Sequence, residues 1–427
     1  MNKTFSIYTL GCKVNSYESE YLREQMEEAG FVLKDFTEEC DIYLINTCTV
    51  TNQSDQKSRK IIREAKKRNS KALVVALGCF INSSYPHLID EIDIAVGNNH
   101  KSEIVSLIKE YFKKEEKIIR IDQEQKFEDM KINNFLNRTR AFLKIQDGCN
   151  AFCSYCIIPY VRGKSSSKDP KQVIKEVNDL VNKGYKEIVL TGIHTGRYGQ
   201  DININLATLL KEIFKNKDLV RLRLSSIEVN EITEEILEIF KKEARFANHF
   251  HIPLQSGSDK ILKKMNRKYD KAFYEEKIKE IRKIRSDVAI STDIIVGFPE
   301  EREEDFKETL EFSKEIGFSK IHVFPYSKRE NTVASKMIQV DGNIKKRRSE
   351  LLRNLSHELE KQYMEKFIDK KVLVLIEEIK DSFSYGHTSN YLHVRVRGKL
   401  KHNEEYEVII KDIKYPYMIG IINDNRS

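Results

Sequence analysis

The sequence contains no apolar run that approaches the roughly 20 residues needed to span a lipid bilayer. Its amino terminus also lacks the apolar core of a secretory signal peptide. We therefore expect a soluble, cytoplasmic protein that has no membrane partner. In a reducing compartment its seven cysteines stay as thiols, and 427 residues can form about two to four domains that fold without disulfides.

Charge of one sign is only slightly in excess, because the chain has 74 Lys and Arg residues and 66 Asp and Glu residues, a net charge of +8. Such an excess fits a polyanionic partner such as a nucleic acid. A lysine-rich genome would give the same composition, so charge alone leaves both explanations open.

Residues 1–130 alternate short apolar runs with polar stretches of helical character. The predicted strands cover residues 5–10, 42–45, 73–77 and 92–96. This alternation predicts an α/β domain built on a doubly wound parallel sheet. A helix is predicted over residues 16–29, with Asn15 and Glu18 as a capping pair at its start. The polar segment 122–134 is predicted to be a linker.

Residues 135–365 repeat the alternation with longer helices. Strands are predicted at residues 141–145, 187–190, 221–224, 249–254, 288–296 and 320–324. Helices are predicted at residues 171–183, 231–243, 271–284 and 303–316. Six such βα units predict a partial (β/α)6 barrel, in which the active site lies at the carboxyl ends of the strands.

The last part of the chain changes character again. A long charged helix over residues 342–367 leads into residues 366–427, where short apolar runs are broken by glycine and asparagine. The predicted strands here cover residues 372–377, 393–397, 406–410 and 418–422. This pattern predicts a small β-barrel.

Cys149, Cys153 and Cys156 form a C-x3-C-x2-C motif, the barrel triplet, directly after the first predicted barrel strand. Three thiolates in one short loop can hold three irons of a cubane [4Fe-4S] cluster and leave the fourth iron open for a ligand. A structural zinc ion is the alternative, but it would require a fourth protein ligand that this loop lacks. The spacing therefore favours an iron–sulfur cluster.

A second set of cysteines has no regular spacing, but each member follows a predicted strand. These are Cys12, Cys48 and Cys79, the sheet triplet. Because adjacent parallel strands end at the same edge of a sheet, the three thiols are expected to converge there and to hold a second cluster. The alternative is that they are small buried apolar residues, the role that we assign to Cys40.

Three segments carry a resemblance to a known family: residues 9–20 (TLGCKVNSYESE), residues 46–51 (NTCTVT) and residues 147–160 (DGCNAFCSYCIIPY). Together with the β-rich C-terminal module, they resemble the methylthiotransferases of the radical S-adenosylmethionine (SAM) superfamily across essentially the whole chain. Within that family, the first and third segments look most like the branch that acts on N6-threonylcarbamoyladenosine in tRNA.

The resemblance implies an N-terminal cluster domain, a radical SAM barrel and a C-terminal RNA-binding TRAM domain. It implies two [4Fe-4S] clusters and two uses of SAM, as the methyl donor to a sulfur held at the sheet triplet and as the source of a 5′-deoxyadenosyl radical that abstracts the C2 hydrogen of adenine. The implied partners are tRNA and an electron donor such as flavodoxin or ferredoxin, and the sulfur donor stays unknown. No side chain is predicted as an acid–base catalyst, because an aromatic C–H bond is too strong for one.

Six residues near the ends of predicted barrel strands are candidates for SAM contacts. They are Tyr155, Gly192, Ser226, Glu228, Gln255 and Asp293. The resemblance puts Tyr155 near the adenine of SAM and Gly192 near its amino group. Strand ends also require turn residues, so a structural role is equally compatible with each position.

Other polar residues carry weaker signals. His249 and His251 share one face of a predicted strand, and we interpret them as packed and hydrogen-bonded rather than as metal ligands. Arg162 and Arg329 are candidates for contacts to substrate phosphates. In the C-terminal module, basic residues alternate with tyrosines as on an RNA-binding surface, although a solvated sheet face would look the same. These residues are Lys370, Lys371, Tyr391, Arg395, Arg397, Lys399, Lys401 and Tyr406.

Several functions stay open at this point. The first is conversion of N6-threonylcarbamoyladenosine next to the anticodon of tRNA into its 2-methylthio derivative. Methylthiotransferases of isopentenyl-adenosine in tRNA or of an aspartate in a ribosomal protein are the alternatives within the family. A non-catalytic two-cluster electron carrier is the alternative outside it, and the βα pattern of residues 135–365 favours an enzyme over a carrier. A carboxylate-bearing base fits a net-basic pocket, whereas a prenylated base requires an apolar one.

Overall fold

The computed structural model describes residues 3–84, 90–122, 127–133, 135 and 139–422. Part of the predicted linker, residues 123–126 and 134, lies outside the described residues. Within the described ranges, no helix has both the length and the apolar character required to cross a membrane. The described strands form a parallel sheet, an open barrel of parallel strands and a closed, mostly antiparallel barrel.

The first assembly is a single six-stranded sheet. Its strands are β1 (Thr4–Thr9), β2 (Val32–Leu33), β3 (Ile42–Thr47), β4 (Leu73–Gly78), β5 (Ile94–Val96) and β6 (Ile118–Arg120). The helices between them are α1 (Lys13–Glu28), α2 (Asn52–Arg68), α3 (Cys79–Ser84) and α4 (Ile104–Lys114). All neighbours are parallel in the order β2-β1-β3-β4-β5-β6, and apolar cores cover both faces. The predicted doubly wound parallel sheet is therefore confirmed.

Helix α1 differs from its prediction at its first turn. It begins at Lys13 rather than at residue 16, with Cys12 in the N-cap position. Asn15 and Glu18 lie inside the helix and are buried, so the predicted capping pair is wrong. Asn15 Nδ2 instead donates to the carbonyl oxygens of Leu10 at 2.7 Å and Thr47 at 3.0 Å. These bonds tie α1 to the chain that leaves β1 and to the end of β3.

The second assembly contains the predicted barrel. Its strands are β7 (Arg140–Lys144), β8 (Gln146–Asp147), β9 (Ser166–Ser167), β10 (Glu187–Thr191), β11 (Arg221–Leu224), β12 (His249–His251), β13 (Ala289–Val296) and β14 (Lys320–Pro325). Its helices are α5 (Ile158–Arg162), α6 (Pro170–Asn182), α7 (Leu206–Ile213), α8 (Glu234–Lys242), α9 (Asp259–Lys264), α10 (Lys271–Ile284), α11 (Glu303–Ile316) and α12 (Gly342–Glu365). Two parallel sheets, β11-β10-β7 and β12-β13-β14, are joined by a bridge between Ser226 and His251 and form the barrel, while β8 and β9 form a separate antiparallel pair. The predicted six-stranded partial barrel is confirmed.

Strand β12 is shorter than predicted, ending at His251 rather than at residue 254. Pro253 has no N–H group to donate to a neighbouring strand. The next residue, Leu254, donates its N–H to Thr292 Oγ1 at 2.8 Å rather than to a strand carbonyl. The polar side chain of β13 therefore replaces the end of the ladder.

The third assembly is a closed barrel of five strands. They are β15 (Lys371–Lys380), β16 (Phe383–Thr388), β17 (His393–Arg397), β18 (Glu405–Lys414) and β19 (Tyr417–Ile422). The order is β15-β16-β17-β19-β18, which confirms the predicted small β-barrel. Strand β16 was not predicted, because its buried residues are Ser384, Gly386 and Thr388 rather than large apolar ones. A Cβ at Gly386 would lie 2.0 Å from the Leu375 carbonyl oxygen, so only glycine fits there.

This closed barrel docks on the amino ends of the open barrel's strands. Arg140, at the start of β7, donates to Tyr391 Oη at 2.7 Å. Arg223, on β11, donates to the Ser389 carbonyl oxygen at 3.1 Å. Burial raises the pKa of Glu187 beneath this contact, but Arg223 and the neighbouring arginines outweigh burial and lower that pKa to about 2. The docking surface is therefore held by buried charges.

Candidate active site

The barrel triplet lies in the loop between β8 and α5, at the carboxyl end of the first barrel strand. The Cys149 N–H donates to the Gly163 carbonyl oxygen at 3.0 Å, and the Cys156 N–H donates to the Cys153 carbonyl oxygen at 2.9 Å. Gly148 has φ +68°, and a Cβ there would lie 2.0 Å from the Lys164 carbonyl oxygen. The loop can therefore close on itself only with glycine before its first cysteine.

Two cationic side chains touch thiols of this triplet. His194 Nδ1 lies 3.2 Å from Cys149 Sγ, and Arg267 Nη1 donates to Cys153 Sγ at 3.3 Å. Hydrogen bonds and positive charge stabilise thiolates and the anionic clusters that thiolates bind. Neither contact was predicted from the sequence. His194 follows the second barrel strand by three positions and could have been found from its place near the carboxyl end of that strand. No feature of the sequence pointed to Arg267.

Each of these cations is held by a carboxylate. Glu231 Oε1 lies 2.7 Å from His194 Nε2, and Glu228 Oε1 lies 2.8 Å from Arg267 Nη2. Burial lowers the pKa of His194, but the hydrogen bonds that the imidazolium donates to Cys149 and Glu231 outweigh burial and raise that pKa to about 10. Glu228 is therefore placed to orient Arg267 at the edge of the triplet.

The chemistry of the donor set fits an iron–sulfur cluster better than a lone ion. Burial raises the pKa of Cys12, Cys48 and Cys153, and it raises the pKa of Cys156 to about 12. Metal coordination is what stabilises buried thiolates. Sulfurs sharing one zinc ion lie about 3.8 Å apart. Among the described residues, neither triplet has its three sulfurs all within 4.8 Å of one another. The sulfurs are therefore too far apart to share one zinc ion, whereas a [4Fe-4S] cluster, which is wider, binds cysteines that are farther apart.

The sheet triplet lies at the carboxyl ends of adjacent parallel strands, as the sequence predicts. Cys12 follows β1, Cys48 follows β3 and Cys79 follows β4, and these three strands are neighbours in the sheet. Gly11, with φ +104°, brings its chain against the second thiol, because a Cβ there would lie 3.1 Å from Cys48 Sγ. Cys79 packs with Ile157 and its neighbours around helix α5, directly after the barrel triplet. The two triplets are therefore neighbours across one interface.

Arg162, the last residue of α5, bridges this interface. Its Nε donates to Cys79 Sγ at 3.2 Å and its Nη2 donates to Asn15 Oδ1 at 2.7 Å. Its guanidinium also pairs with Glu18 at 3.1 Å and with Asp147 at 3.0 Å. The side chain is buried, so the prediction that Arg162 contacts substrate phosphate is wrong.

Glu18 is the acid at the centre of this buried network. Lys101 Nζ lies 2.6 Å and Lys144 Nζ 3.7 Å from its carboxylate oxygens, in addition to Arg162. Burial raises the pKa of Glu18, but Arg162 and the two lysines outweigh burial and lower it to about 2. Glu18 therefore stays ionised and holds three cations between the two triplets.

Arg329 forms a second contact between the same two parts of the chain. It follows β14, and its Nη2 lies 2.8 Å from Asp55 Oδ2 and donates to Thr49 Oγ1 at 2.7 Å. Its Nη1 donates to Asn52 Oδ1 at 2.8 Å. The side chain is buried by these contacts, so the predicted phosphate contact is wrong for Arg329 as well.

The six SAM candidates divide into two groups. Tyr155, Gln255 and Asp293 line a cavity of about 200 Å³ together with Cys156. Gly192, Ser226 and Glu228 are not among its lining residues. A Cβ at Gly192 would lie 2.9 Å from Gln146 Oε1, Ser226 bridges to His251, and Glu228 pairs with Arg267. Three of the six candidates thus share a cavity that borders the barrel triplet at Cys156.

The histidines on β12 are hydrogen-bonded inside the barrel. His249 Nε2 and His251 Nδ1 each lie 2.9 Å from Ser291 Oγ. His251 Nε2 lies 3.2 Å from Asp293 Oδ2, so both of its nitrogens are engaged. Tyr391, which was predicted on an RNA surface, is 37% exposed, and its ring centroid lies 5.0 Å from that of His249. It therefore lies at the junction of the closed barrel with β12.

Comparison with known proteins identifies the family. Residues 143–313 match the Radical SAM superfamily, and residues 4–97 match Uncharacterized protein family UPF0004. The Threonylcarbamoyladenosine tRNA methylthiotransferase MtaB of Bacillus subtilis (strain 168) is 42% identical over 92% of this chain and 90% of that protein. The protein of the same name from Aquifex aeolicus (strain VF5) is 40% identical over 91% of this chain and 96% of that protein. The tRNA-2-methylthio-N(6)-dimethylallyladenosine synthase of Clostridium novyi (strain NT) is 36% identical over 88% of this chain and 86% of that protein.

A solved structure shares the fold. The radical SAM methyltransferase TsrM from Kitasatospora setae, with cobalamin and a [4Fe-4S] cluster bound, superimposes with a TM-score of 0.57 at 14% identity, over 78% of this chain and 77% of that chain. The Radical SAM match covers the barrel triplet, and the UPF0004 match covers the sheet triplet. The chain belongs to the methylthiotransferase family of radical SAM enzymes.

Proposed function

We propose that this radical SAM tRNA methylthiotransferase replaces the C2 hydrogen of N6-threonylcarbamoyladenosine, next to the anticodon, with a methylthio group. Two relatives named Threonylcarbamoyladenosine tRNA methylthiotransferase MtaB match about nine-tenths of the chain. The observation that carries the proposal is the juxtaposition of the two thiol triplets on either side of the buried Arg162 side chain. Two such sets suit a reaction in which a radical source and a sulfur source must act on one atom.

Each triplet is proposed to hold a [4Fe-4S] cluster, with SAM in the cavity beside Cys156. When bound, these groups supply the 5′-deoxyadenosyl radical and the methylated sulfur, the steps that no side chain can perform. A reduced flavodoxin or ferredoxin is the proposed class of electron donor. The protein's part is to place the reacting groups and to exclude water.

The chain's own residues support that part in specific ways. Tyr155, Gln255 and Asp293 wall the cavity in which SAM would be bound. Arg267 and His194 place positive charge against the barrel triplet thiols. Gly192, Ser226 and Glu228 are proposed to position the strand ends around this site rather than to line the cavity.

The proposed division of the chain is a cluster domain at residues 1–130, a radical SAM core at residues 135–365 and an RNA-binding TRAM domain at residues 366–427. The exposed side chains of Arg397 and Lys399 on the third unit are available to tRNA phosphates. Tyr391 is 37% exposed and also contacts Arg140 and His249, so it lies where the proposed RNA surface meets the open barrel.

The test is an anaerobic assay with reconstituted full-length protein, SAM, a reductant and tRNA that carries either threonylcarbamoyladenosine or isopentenyl-adenosine. Nucleoside mass spectrometry should detect the 2-methylthio derivative of the first only. Cys48→Ala should abolish product, whereas the matched control Cys40→Ala should not, because Cys40 is buried away from both triplets against the carbonyl oxygens of Asp35 and Glu38. Product from the prenylated tRNA alone would show that the substrate assignment is wrong.

A further inference from the structure

A second cavity, of about 360 Å³, opens between the barrel strands β12–β14, helix α12 and the C-terminal barrel. Five of the chain's ten histidines line it. They are His249, His251, His322, His387 and His393. Such a polar wall is unsuited to a purely apolar ligand, because imidazoles that lose water need hydrogen-bonding partners. Lys13, the residue after Cys12, also reaches into this cavity.

Lys13 brings a positive charge that has no direct ion-pair partner among the described residues. It makes no salt bridge or hydrogen bond to any residue that the structure describes. The acids around the cavity already have partners: Glu187 pairs with Arg221 and Arg223, Glu377 with Arg140 and His387, Asp293 with His251, and Glu360 with Lys320. The cavity therefore favours an anion.

A second unpartnered group points to the same conclusion. His249 is only 8% exposed, and its Nδ1 has no hydrogen-bond partner although its Nε2 is bound to Ser291. A buried polar atom left without a partner costs stability unless a ligand or water satisfies it. The ligand that fits this cavity thus carries both negative charge and hydrogen-bonding groups.

The cavity is also in the right place for part of the substrate. Lys13 follows Cys12 directly, so its backbone lies beside the sheet triplet while its side chain lines the cavity. Asp293 lines the smaller cavity beside Cys156, and it pairs with His251, which lines the larger one. A base positioned between the two triplets would project its substituent into the histidine-lined cavity.

We propose that this cavity binds the carboxylate-bearing N6 substituent of the substrate adenosine, and that Lys13 donates the charge-assisted hydrogen bond to the carboxylate. The inference rests on the proposed function and names the residue that selects the threonylcarbamoyl group. A prenyl substituent would leave the Lys13 ammonium and the His249 nitrogen without partners, which is how the site would reject it.

The experiment measures binding of two anticodon stem-loop RNAs that differ only in carrying threonylcarbamoyladenosine or plain adenosine next to the anticodon. Anaerobically reconstituted full-length protein should bind the modified RNA more tightly. Lys13→Gln should reduce that preference by about 10- to 100-fold, the range of one hydrogen bond between charged groups. Lys13→Arg should retain part of it. The control Lys113→Gln, an exposed lysine at the end of α4, should bind both RNAs as the unaltered protein does.

Each result decides the matter. An unchanged preference in Lys13→Gln with normal iron content would overturn the assignment. If Lys13→Gln fails to load iron because it adjoins Cys12, His322→Gln provides the decision, since His322 lies on β14 away from both triplets. A several-fold loss of preference in His322→Gln supports the cavity, and no loss overturns it. If the unaltered protein neither prefers nor methylthiolates the modified RNA, the proposed function fails instead.

Discussion

Replacing Arg162 by methionine should loosen the contact between the N-terminal sheet and the barrel. Arg162 is buried and pairs with Glu18 and Asp147, so Arg162→Met leaves two acids with less compensation. Removing one partner of a buried ion pair costs about 3–5 kcal/mol. Lys101 and Lys144 still face Glu18 at 2.6 Å and 3.7 Å, so we expect the lower end, about 3 kcal/mol.

Thermal unfolding of cluster-free protein, followed by circular dichroism, measures this cost. For a unit of this size, 1 kcal/mol shifts Tm by about 2–4 °C, so Arg162→Met should lower the first Tm by roughly 6–12 °C. The control is Arg63→Met, whose side chain is 60% exposed and lies 3.6 Å from Glu91. A surface pair of that kind is worth less than about 1 kcal/mol.

The same substitution removes a cationic hydrogen bond to Cys79 Sγ. Loss of positive charge beside a cluster ligand makes reduction less favourable, so the midpoint potential of the cluster proposed at the sheet triplet should fall. Redox titration followed by electron paramagnetic resonance would measure it. A Tm within about 2 °C of the unaltered protein, together with an unshifted potential, would refute the role assigned to Arg162.

Three further outcomes follow from the site. Cys153→Ala should lower the iron content from about eight to about four atoms per chain and abolish reductive cleavage of SAM. Cys48→Ala should retain this cleavage but form no methylthio product. Iron analysis and 5′-deoxyadenosine assays test both outcomes, and zinc at stoichiometric levels would contradict them. Replacing Arg397 and Lys399 by alanine should weaken tRNA binding and reduce its salt slope by about two, measured by titration at several salt concentrations. The pKa of Glu18 is about 2 in the folded protein against an ordinary 4.5, so its ionised form contributes to the free energy of unfolding above pH 4.5. This contribution should disappear as pH falls to 2. Acid unfolding of Glu18→Gln should not show that loss.

The sequence predicted the placement of both triplets because that placement follows from local pattern. Short apolar runs mark parallel strands, and residues just after such strands share one edge of a sheet. The rule put Cys12, Cys48 and Cys79 together and put the barrel triplet at the end of β7. It would also have identified His194 had it been applied three positions past β10.

The charged residues between the triplets could not be predicted in the same way. From the sequence, Glu18 was interpreted as a helix-capping acid and Arg162 as a solvated or phosphate-binding base, because each lies in a locally polar segment. Their roles depend on each other across 144 residues of sequence, through a contact that exists only after both parts of the chain have folded. Local pattern gives no information about a partner that is so distant.

Under the two proposals above, the C-terminal barrel takes part in both RNA binding and base selection. This barrel covers the amino ends of the open barrel's strands through Arg140 and Arg223. The same unit contributes His387 and Tyr391 to the wall of the cavity that contains Lys13. The proposed tRNA surface and one wall of the proposed base-reading cavity therefore belong to the same five-stranded barrel. Substitutions in the turn between β16 and β17 should consequently change base preference as well as affinity, whereas substitutions at exposed Arg397 should change affinity alone.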